Sequence, residues 1–470
     1  MLNFLDSLIQ PVNSLLYYPI LIILLLVIGL IFTIRSGFLQ IRLFKESINV
    51  VMEKPTKEGA VSSFQALMVS TASRVGTGNI VGVSTAICLG GYGAVFWMWI
   101  VAIIGGASAF VESTLAQIYK RRDNEGNSYG GPSYYIETAL KNKTLGIIFS
   151  ISLILTYAVG FNMLAAYNLQ TAFQAYSFYN PSVTPWIIGG ILALITGYCI
   201  LGGGKRIIKF ASTLVPIMGV IYILVAIVMI LLNISYLPTV FYKIFSDAFN
   251  FKAIFGSIAG SSMMYGIKRG LYSNEAGIGS APNAAAAADV SHPVKQGLVQ
   301  MLSVFIDTLL ICTATAFMCL SSGIEPTEEL SGAPYVQKAL STFLGNFGYH
   351  FIVLSLVLFA FTTLIGNLFY VDTNLAYING KTPSKSFMIC YRILAAIIIL
   401  FGAAQEAGLA WDLSDMLMGF MALINLPTIL ILGGKSIACL KDYEEQKNKG
   451  KNPVFYSKNI GITEDLDYWK

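Results

Sequence analysis

The chain has 470 residues, of which 55% are hydrophobic and only 12% are charged, and its formal net charge is +5. Water-soluble domains carry about 25% charged residues, so this composition excludes an ordinary soluble protein and predicts an integral membrane protein. The small net charge gives no reason to expect nucleic acid as a partner. The two histidines and six scattered cysteines have no metal-site spacing.

Apolar runs of about 20 residues are long enough to cross a bilayer as helices. The sequence predicts an all-α polytopic membrane protein with eleven such helices: 17–34, 61–89, 94–118, 144–176, 184–201, 210–233, 251–272, 294–320, 349–379, 387–404 and 413–440. The spacers are short, so no soluble domain is expected between the helices.

Lysine and arginine are distributed unevenly over the loops between these helices. If loop 35–60 is cytoplasmic, 26 of the 30 basic residues fall on the cytoplasmic side, three fall outside and Arg74 lies in the membrane. Cytoplasmic loops of membrane proteins are enriched in lysine and arginine. We therefore expect a multi-pass protein of the cell (plasma) membrane whose N-terminus is outside and whose C-terminus is cytoplasmic.

The second predicted helix is unusual, because it carries "RVGTGNI" (74–80) at its centre. Gly76 and Gly78 permit a break in the helix and a close approach to a small solute. Backbone groups freed by a break are costly in lipid unless something binds them. Carbonyls that end the first half-helix suit a cation, and amides that open the second half, with Thr77 and Asn79 beside them, suit a carboxylate.

The seventh predicted helix, "FGSIAGSSMMYGIKRG", is also rich in small residues. It lies five helices after the second, and an odd spacing gives the two opposite directions across the membrane. Helices 2–6 (61–233) and 7–11 (251–440) are therefore predicted to be inverted repeats, each beginning with an interrupted helix, as in secondary transporters. An N-terminal helix and basic loop (1–60) precede them, and a basic tail (441–470) follows. Glycines that serve only close helix packing are the alternative.

Several long motifs carry a family resemblance. They are "VSSFQALMVSTASRVGTGNIVGVSTAI", "GGYGAVFWMWIVAIIGGASAFVESTLAQIYK", "YGGPSYYI", "RGLYSNEAGIGSAPNAAA", "HPVKQGLVQMLSVFIDTLLICTATAF" and "FAFTTLIGN". From about residue 15 to 440 the chain resembles the alanine/glycine:cation symporter family (sodium:alanine symporters, amino acid carrier proteins). The resemblance implies a leucine-transporter-like five-plus-five inverted repeat preceded by one extra helix.

The resemblance also implies two sets of site residues. For sodium these are the carbonyl groups of Ala72, Val75 and Phe359 and the hydroxyl groups of Thr362 and Thr363. For the substrate they are Gly76, Thr77, Gly78, Asn79, Phe161, Ala165, Gly260, Ser261, Thr363 and Asn367. Alternatively, the Thr362 and Thr363 hydroxyls only form hydrogen bonds to a neighbouring helix or to their own helix backbone.

Two of these positions depart from the family pattern. Ala165 stands where many relatives have glutamine, and Asn367 stands where many have tryptophan. Less bulk and an added amide would admit a larger or more polar side chain. Alanine or glycine is the substrate that the family implies, while glutamine or serine stays open.

Charged residues within predicted spans are costly and usually functional. Arg74 is the only basic residue expected deep in a span, and we predict an ion pair with an acidic residue rather than a direct substrate contact. The candidate partners are Glu112, Glu275, Asp307 and Asp372. Glu112, near the end of its helix, is expected to reach towards the membrane surface.

The stretch "SNEAGIGSAPNAAAAADVSHP" (273–293) is expected on the cytoplasmic side, either as a packed connector or as a gate segment beneath the site. Together these features predict a secondary active symporter that imports a small neutral amino acid with sodium by alternating access. No cofactor is expected, sodium is the coupling ion, and the amino acid and the lipid bilayer are the other partners. Proton coupling, a membrane-embedded enzyme and a passive channel are the alternatives.

Overall fold

The computed structural model of the chain describes residues 2–123, 126–250 and 261–469. Nearly all of this part is helical, apart from one short antiparallel pair, β1 (Arg121–Arg122) and β2 (Ser128–Tyr129). We number the α-helices in chain order. They are α1 (Leu2–Leu15), α2 (Ile22–Arg35), α3 (Leu39–Arg42), α4 (Phe44–Val51), α5 (Ser63–Arg74), α6 (Val83–Gly90), α7 (Ala94–Ile118), α8 (Pro132–Ala139), α9 (Lys143–Ile154), α10 (Phe161–Thr171), α11 (Thr184–Leu201), α12 (Gly203–Leu232), α13 (Leu237–Ala248), α14 (Ser262–Asn274), α15 (Pro282–Ala287), α16 (Pro293–Val304), α17 (Thr313–Leu320), α18 (Ala333–Leu344), α19 (Asn346–Asn379), α20 (Lys385–Ala403) and α21 (Ala407–Asn448).

Wider helical turns interrupt several of the long helices. Stretches of π-helix span Leu16–Leu21, Gly78–Gly82, Leu155–Gly160 and Phe305–Cys312. Short 3₁₀ turns span Ala172–Ala175, Ile234–Tyr236, Glu328–Leu330 and Ser457–Ile460. π-Helical turns inside helices are frequent at functional sites, and two of these four, Gly78–Gly82 and Leu155–Gly160, contain or directly precede residues that line the cavity described below.

Nine helical segments within the described ranges are long and apolar enough to cross a membrane. They are Ile9–Arg35, Ala94–Ile118, Lys143–Ala175, Thr184–Leu201, Gly203–Leu232, Pro293–Leu320, Asn346–Asn379, Lys385–Ala403 and Ala407–Asn448. They correspond to nine of the eleven predicted spans. Of the other two, 61–89 consists of the separate helices α5 and α6 joined by irregular and π-helical turns, and 251–272 is described only from residue 261 onward.

The local sequence explains why α5 begins at Ser63. Ser62 accepts a hydrogen bond from Gln65 N at 3.1 Å, while the Gln65 side chain accepts one from Ser62 N at 3.0 Å. This capping box fixes the start of α5. From there α5 packs between α12 and α19, and α7 packs against α14 and α16.

The predicted cytoplasmic loops meet at one end of the bundle. Lys295 pairs with Glu53 at 2.6 Å, and Lys447 pairs with Glu46 at 2.6 Å. We call this the Lys120 end, since Lys120 follows α7 there and its Nζ donates to the Ala288 carbonyl oxygen at 2.9 Å. Loop 35–60, Lys120, the end of 268–295 and the tail therefore lie together, as the charge distribution predicted. Which end faces the cytoplasm stays a prediction.

The opposite end holds two helices that hydropathy did not predict, α13 and α18. Lys243 of α13 pairs with Glu325 at 3.2 Å, and Tyr92 donates to the same carboxylate at 2.9 Å. Gly93 N donates to Asp247 at 2.6 Å. We call this the Tyr92 end. Both helices are only 12 residues long, too short to register as spans.

Candidate functional site

The predicted break in the second span is confirmed. α5 ends at Arg74, and Val75 leaves the helical region with a ψ of 87°. The Gly76 N–H, which in a continuous helix would donate to the Ala72 carbonyl oxygen, donates instead to Asn79 Oδ1 at 2.7 Å. The chain resumes as π-helix at Gly78. The irregular stretch is thus short and lies at the centre of the predicted span.

The described part of the seventh predicted span is one continuous helix. α14 runs unbroken through Gly266 and Gly270 to Asn274, whereas residues 251–260 of that span lie outside the described residues. A Cβ on Gly266 would lie 2.4 Å from the Ala94 carbonyl oxygen, and one on Gly270 would lie 2.8 Å from a Val101 methyl carbon. These glycines allow α14 to pack tightly on α7. The other glycines and serine of this motif, Gly256, Ser257 and Gly260, fall outside the described residues.

The chain unwinds directly after α14. Glu275, Gly277 and Gly279 have positive φ values of 55°, 85° and 89°, and the short helix α15 begins only at Pro282. This stretch is fully buried, and the Ser273 side chain before it donates to Asp307 at 2.9 Å. The first part of 273–293 thus enters the bundle interior at the site, while the side of the membrane that this stretch faces stays a prediction.

The two irregular stretches face each other across a small buried cavity. Its lining residues are Ser73, Arg74, Gly76, Thr77, Gly78, Phe161, Tyr272, Glu275 and Thr363. Five of them belong to the predicted substrate set: Gly76, Thr77, Gly78, Phe161 and Thr363. The cavity volume is about 10 Å³, close to the space that one water molecule needs. An amino acid therefore requires the lining side chains to move apart.

The other predicted substrate residues lie around the cavity or away from it. Asn79, Ala165 and Asn367 are fully buried nearby but do not line it. Ser261 is misplaced in the prediction, because it caps the start of α14 with its hydroxyl accepting from Met264 N at 3.2 Å. At 1.5 Å per residue, the helix carries Ser261 roughly 16 Å from Tyr272 of the cavity wall.

Sequence reasoning missed two lining residues, Ser73 and Tyr272. Ser73 Oγ lies 2.7 Å from Asn367 Oδ1, and Asn367 Nδ2 donates to Asn162 Oδ1 at 2.9 Å. A Cβ on Gly78 would lie 2.7 Å from the Tyr272 ring. Their positions in the sequence could have indicated them. Ser73 lies just before Gly76 and Gly78, and Tyr272 lies just before Gly277 and Gly279.

Among the predicted sodium ligands, Thr363 has a hydroxyl group that is not used in a hydrogen bond. Its Oγ1 is buried and has no hydrogen-bond partner in the described part of the chain. Thr362 Oγ1, by contrast, donates to the backbone, lying 3.0 Å from the Leu358 oxygen and 3.1 Å from the Phe359 oxygen. The α19 backbone at Gly366 packs against Ala72, with a Cβ there 3.2 Å from the Ala72 carbonyl carbon. Neutral oxygens from α5 and α19 are thus close together.

Arg74 does not form the predicted ion pair. It is 2% exposed, and its Nη1 donates to the backbone and side-chain oxygens of Gln300 at 3.3 and 3.2 Å. Among the described residues no carboxylate lies within 4 Å of the guanidinium, and its Nε and Nη2 have no partner. A glutamine therefore holds Arg74 in place, and the nearby carboxylates act on it only from a distance.

Neutral groups satisfy two of the four acidic residues predicted as partners of Arg74. Glu112 accepts from Gly277 N at 3.2 Å and from Asn425 Nδ2 at 2.7 Å. It is fully buried, so the expectation that it reaches the membrane surface is wrong. Asp307 accepts from Asn79 Nδ2 at 2.7 Å.

A third acidic candidate is paired elsewhere. Asp372 is bound by Arg392 at 3.0 Å and is not a partner of Arg74. The fourth, Glu275, lines the cavity together with Arg74.

Arg74 is also not the only basic residue buried in the helical bundle. Arg269 of α14 is 4% exposed and pairs with Asp415 at 2.8 Å, and Lys268 reaches the same carboxylate at 2.7 Å. Asp415 lies near the start of α21, and the α14 turn before Arg269 packs on the start of α7. Lys268 and Arg269 therefore lie in the half nearer the Tyr92 end and do not group with the other basic residues at the Lys120 end, contrary to the prediction from the charge distribution.

Comparison with known proteins identifies the family to which these features belong. Residues 2–457 match the model of the sodium:alanine symporter family. The chain belongs to this family. It is 44% identical over 471 residues to the probable sodium/glutamine symporter GlnT of Bacillus subtilis strain 168, covering 100% of this chain and 97% of that protein. It is 38% identical to the sodium/alanine symporter AgcS of Methanococcus maripaludis, covering 95% and 99% of the two chains.

A solved structure supports the fold. MhsT, solved in complex with L-phenylalanine, superposes with a TM-score of 0.53 at 15% sequence identity, covering 86% of this chain and 92% of that one. The all-α architecture is thus of the leucine-transporter type. Members of the sodium:alanine symporter family are transporters and not enzymes, so the chain is a multi-pass transport protein of a membrane.

Proposed function

We propose that this member of the sodium:alanine symporter family imports a small neutral amino acid, alanine or glycine, together with sodium. The supporting observation is the meeting of two irregular stretches, 75–77 and 275–281, at a buried cavity lined by Gly76, Thr77 and Thr363. Irregular backbone inside a membrane protein survives where it lines a binding cavity.

Sodium binds between α5 and α19 in this proposal. Its ligands are the carbonyl oxygens of Ala72 and Val75, the Thr363 hydroxyl, and the Phe359 and Thr362 oxygens beside them. The unpartnered Thr363 Oγ1 supports the assignment, since a buried oxygen without a donor is costly unless a ligand engages it. Sodium raises amino-acid affinity, and the amino acid raises sodium affinity by the same factor.

The amino-acid carboxylate binds at the backbone amides of Thr77 and Gly78, next to the sodium ion, since the Gly76 amide already donates to Asn79 Oδ1. Amides that open a helix attract anions. The side chain of the substrate points towards Phe161 and Ala165. Tyr272 stacks edge-on against Phe161 with ring centroids 4.9 Å apart and must turn aside to admit the substrate.

The membrane topology of the proposal follows the charge distribution. The eleven spans form an extra N-terminal helix and two inverted five-helix repeats, 61–233 and 251–440, with the N-terminus outside and the Lys120 end in the cytoplasm. Moving Lys268 and Arg269 to the other side leaves 24 basic residues inside and five outside, so the bias still supports this orientation. The repeats rock about the central cavity and release both solutes inward.

Glutamine is the second candidate substrate. The 44% identity to a probable sodium/glutamine symporter favours it, as does the absence of a large residue at Ala165. Asn162 Nδ2 is buried with no partner in the described structure, so a donor for a substrate amide is present near Asn367.

Uptake by the purified protein in liposomes tests the proposal. Radiolabelled alanine, glycine, serine and glutamine are offered with an inward sodium gradient, with equal sodium on both sides, and with a proton gradient alone. Accumulation above equilibrium that requires the sodium gradient is expected for alanine or glycine. Uptake that never exceeds equilibrium indicates a channel, and accumulation driven by protons alone contradicts sodium coupling. The amino acid that accumulates most identifies the substrate.

A further inference from the structure

Glu275 is an anionic side chain placed directly at the cavity. Its residue is 1% exposed, and its two carboxylate oxygens lie 3.0 Å from Ser73 Oγ and 2.7 Å from Ser280 Oγ. Both neighbours are neutral hydroxyl groups. Within the described ranges no lysine or arginine lies within 4 Å of this carboxylate. The negative charge therefore has no direct ionic partner in the protein.

The backbone at Glu275 adds a second, independent observation. Its φ of 55° places a side-chain-bearing residue in the left-handed region that glycine normally occupies. The next two positive-φ positions in this stretch are indeed glycines, Gly277 and Gly279. Residues held in such conformations cost free energy and cluster at ligand-binding sites. This conformation sets the Glu275 carboxylate at the end of α14, against the cavity.

The chemistry of the remaining cavity wall defines what this carboxylate can bind. Ser73, Thr77, Tyr272 and Thr363 are neutral, and Arg74 is positively charged. Glu112 and Asp307 do not line the cavity and are occupied by backbone and amide donors. Glu275 is thus the single anionic side chain in the described lining. An ammonium group entering this space needs an anion, since an unpaired buried charge costs several kcal/mol.

We propose that Glu275 binds the α-ammonium group of the transported amino acid. This inference rests on the proposed function, in which the amides of the α5 break and sodium hold the carboxylate at the opposite side of the cavity. The carboxylate of the zwitterion then lies at the irregular stretch 75–77, and its ammonium group lies at the irregular stretch 275–281. Ser73 and Ser280 are positioning residues that orient the Glu275 carboxylate.

A cycle of protein variants and ligands tests this assignment. Purified wild type and Glu275→Gln are assayed for sodium-dependent binding of alanine and for inhibition by propionate, which has no amino group. We expect Glu275→Gln to weaken alanine binding about 30-fold or more, as loss of one partner of a buried charged pair does, and to leave propionate inhibition within about threefold. A purely structural role would weaken both ligands equally, and that result would overturn the proposal.

Glu112→Gln is the matched control, because it neutralises a buried carboxylate of the same region that does not line the cavity. It is expected to change alanine and propionate binding by equal factors. Glu275→Asp keeps the charge but withdraws it by one methylene. If Glu275→Gln does not fold, Glu275→Asp is expected to weaken alanine binding relative to wild type and to leave propionate inhibition within about threefold, and an equal loss for both ligands would overturn the proposal. Unchanged alanine affinity in a folded Glu275→Gln protein would contradict the ammonium site but not the proposed function. The proposed function would be contradicted if the wild-type protein showed no sodium-dependent uptake.

Discussion

Gly76 and Thr363 approach each other so closely that a Cβ atom on Gly76 would stand 1.9 Å from Thr363 Oγ1. The break of α5 and the middle of α19 are therefore in direct contact at a buried hydroxyl that lacks a hydrogen-bond partner among the described residues. The backbone of Gly76 and the Thr363 hydroxyl form one side of the cavity together.

Gly76→Ala is expected to abolish sodium-dependent amino-acid uptake. The added methyl group overlaps the Thr363 hydroxyl, so the broken stretch or the Thr363 side chain must shift at the proposed binding site. Gly82→Ala is the matched control on the same span, because a Cβ there meets atoms no closer than 3.8 Å. Uptake in liposomes, with expression and monodispersity checked for both variants, makes the comparison. Equal activity of the two variants would show that the approach is not tight.

Thr363→Ala and Thr362→Ala are expected to differ in sodium dependence. Thr363 Oγ1 is free to bind an ion, whereas Thr362 Oγ1 already donates to its own helix backbone. Losing one charge-assisted ligand costs about 1.5–3 kcal/mol, so Thr363→Ala should raise the sodium concentration for half-maximal uptake about tenfold or more.

Thr362→Ala should raise this concentration less than Thr363→Ala does, because the Thr362 hydroxyl is already held by its own helix backbone. Thr363→Ser, which keeps the hydroxyl group, is expected to restore most of the sodium affinity. If Thr362→Ala has the larger effect, the assignment of the free hydroxyl is wrong.

The first break could be predicted from sequence, whereas the unwinding after α14 was not predicted. "RVGTGNI" combines two glycines with polar residues in an apolar run, and the chain breaks there. Gly266 and Gly270 also lie in an apolar run rich in small residues, but they serve close packing on α7. A sequence does not distinguish a glycine needed for contact from one needed for positive φ, such as Gly277, because the difference lies in what stands opposite each residue.

Charge partners were predicted less well than helices. Hydropathy identified the spans because each span is a continuous apolar segment of sufficient length. The partners of Arg74 and Arg269 depend on which helices become neighbours, and here these partners are Gln300 and Asp415. Gln300 carries no charge, so counting acidic residues could not reveal it.

Asp415→Asn is expected to destabilise the protein strongly. Its buried carboxylate neutralises Lys268 and Arg269 together, so the variant leaves two cations without an anion. Removing one partner of a buried ion pair costs about 3–5 kcal/mol. Asp372→Asn is the control, since Asp372 pairs only with Arg392 and both side chains are more exposed. Thermal unfolding in detergent should show a clearly larger drop for Asp415→Asn.

The C-terminal segment after α21 is expected to stabilise the Lys120 end. Phe455 N donates to the Ser291 oxygen at 2.9 Å, and Trp469 Nε1 donates to the Gln117 oxygen at 2.7 Å. Tyr468 donates to Asp289 at 2.8 Å, and its ring lies 3.8 Å from the Lys120 ammonium.

Deletion of residues 453–470 should therefore lower the unfolding temperature in detergent. Tyr468→Phe keeps the cation–π contact and removes one hydrogen bond worth about 1.5–3 kcal/mol to a charged acceptor, so its effect should be smaller than that of the deletion. An unchanged unfolding temperature after the deletion would show that the segment adds nothing to stability.

His292 is expected to make stability fall in mild acid. Burial lowers the pKa of His292 to about 4 despite the Asp442 carboxylate at 3.1 Å, and its Nδ1 accepts from Val294 N at 3.3 Å, as only a neutral ring can. In the unfolded chain the pKa is about 6.5, so between pH 6.5 and 4 the unfolded state binds a proton that the folded state does not. The free energy of unfolding therefore decreases as the pH falls through this range, by up to about 3 kcal/mol.

His292→Gln removes the titrating group and should flatten the profile of unfolding temperature between pH 7 and 4.5 relative to wild type. Parallel profiles for the two proteins would show that His292 does not cause the loss.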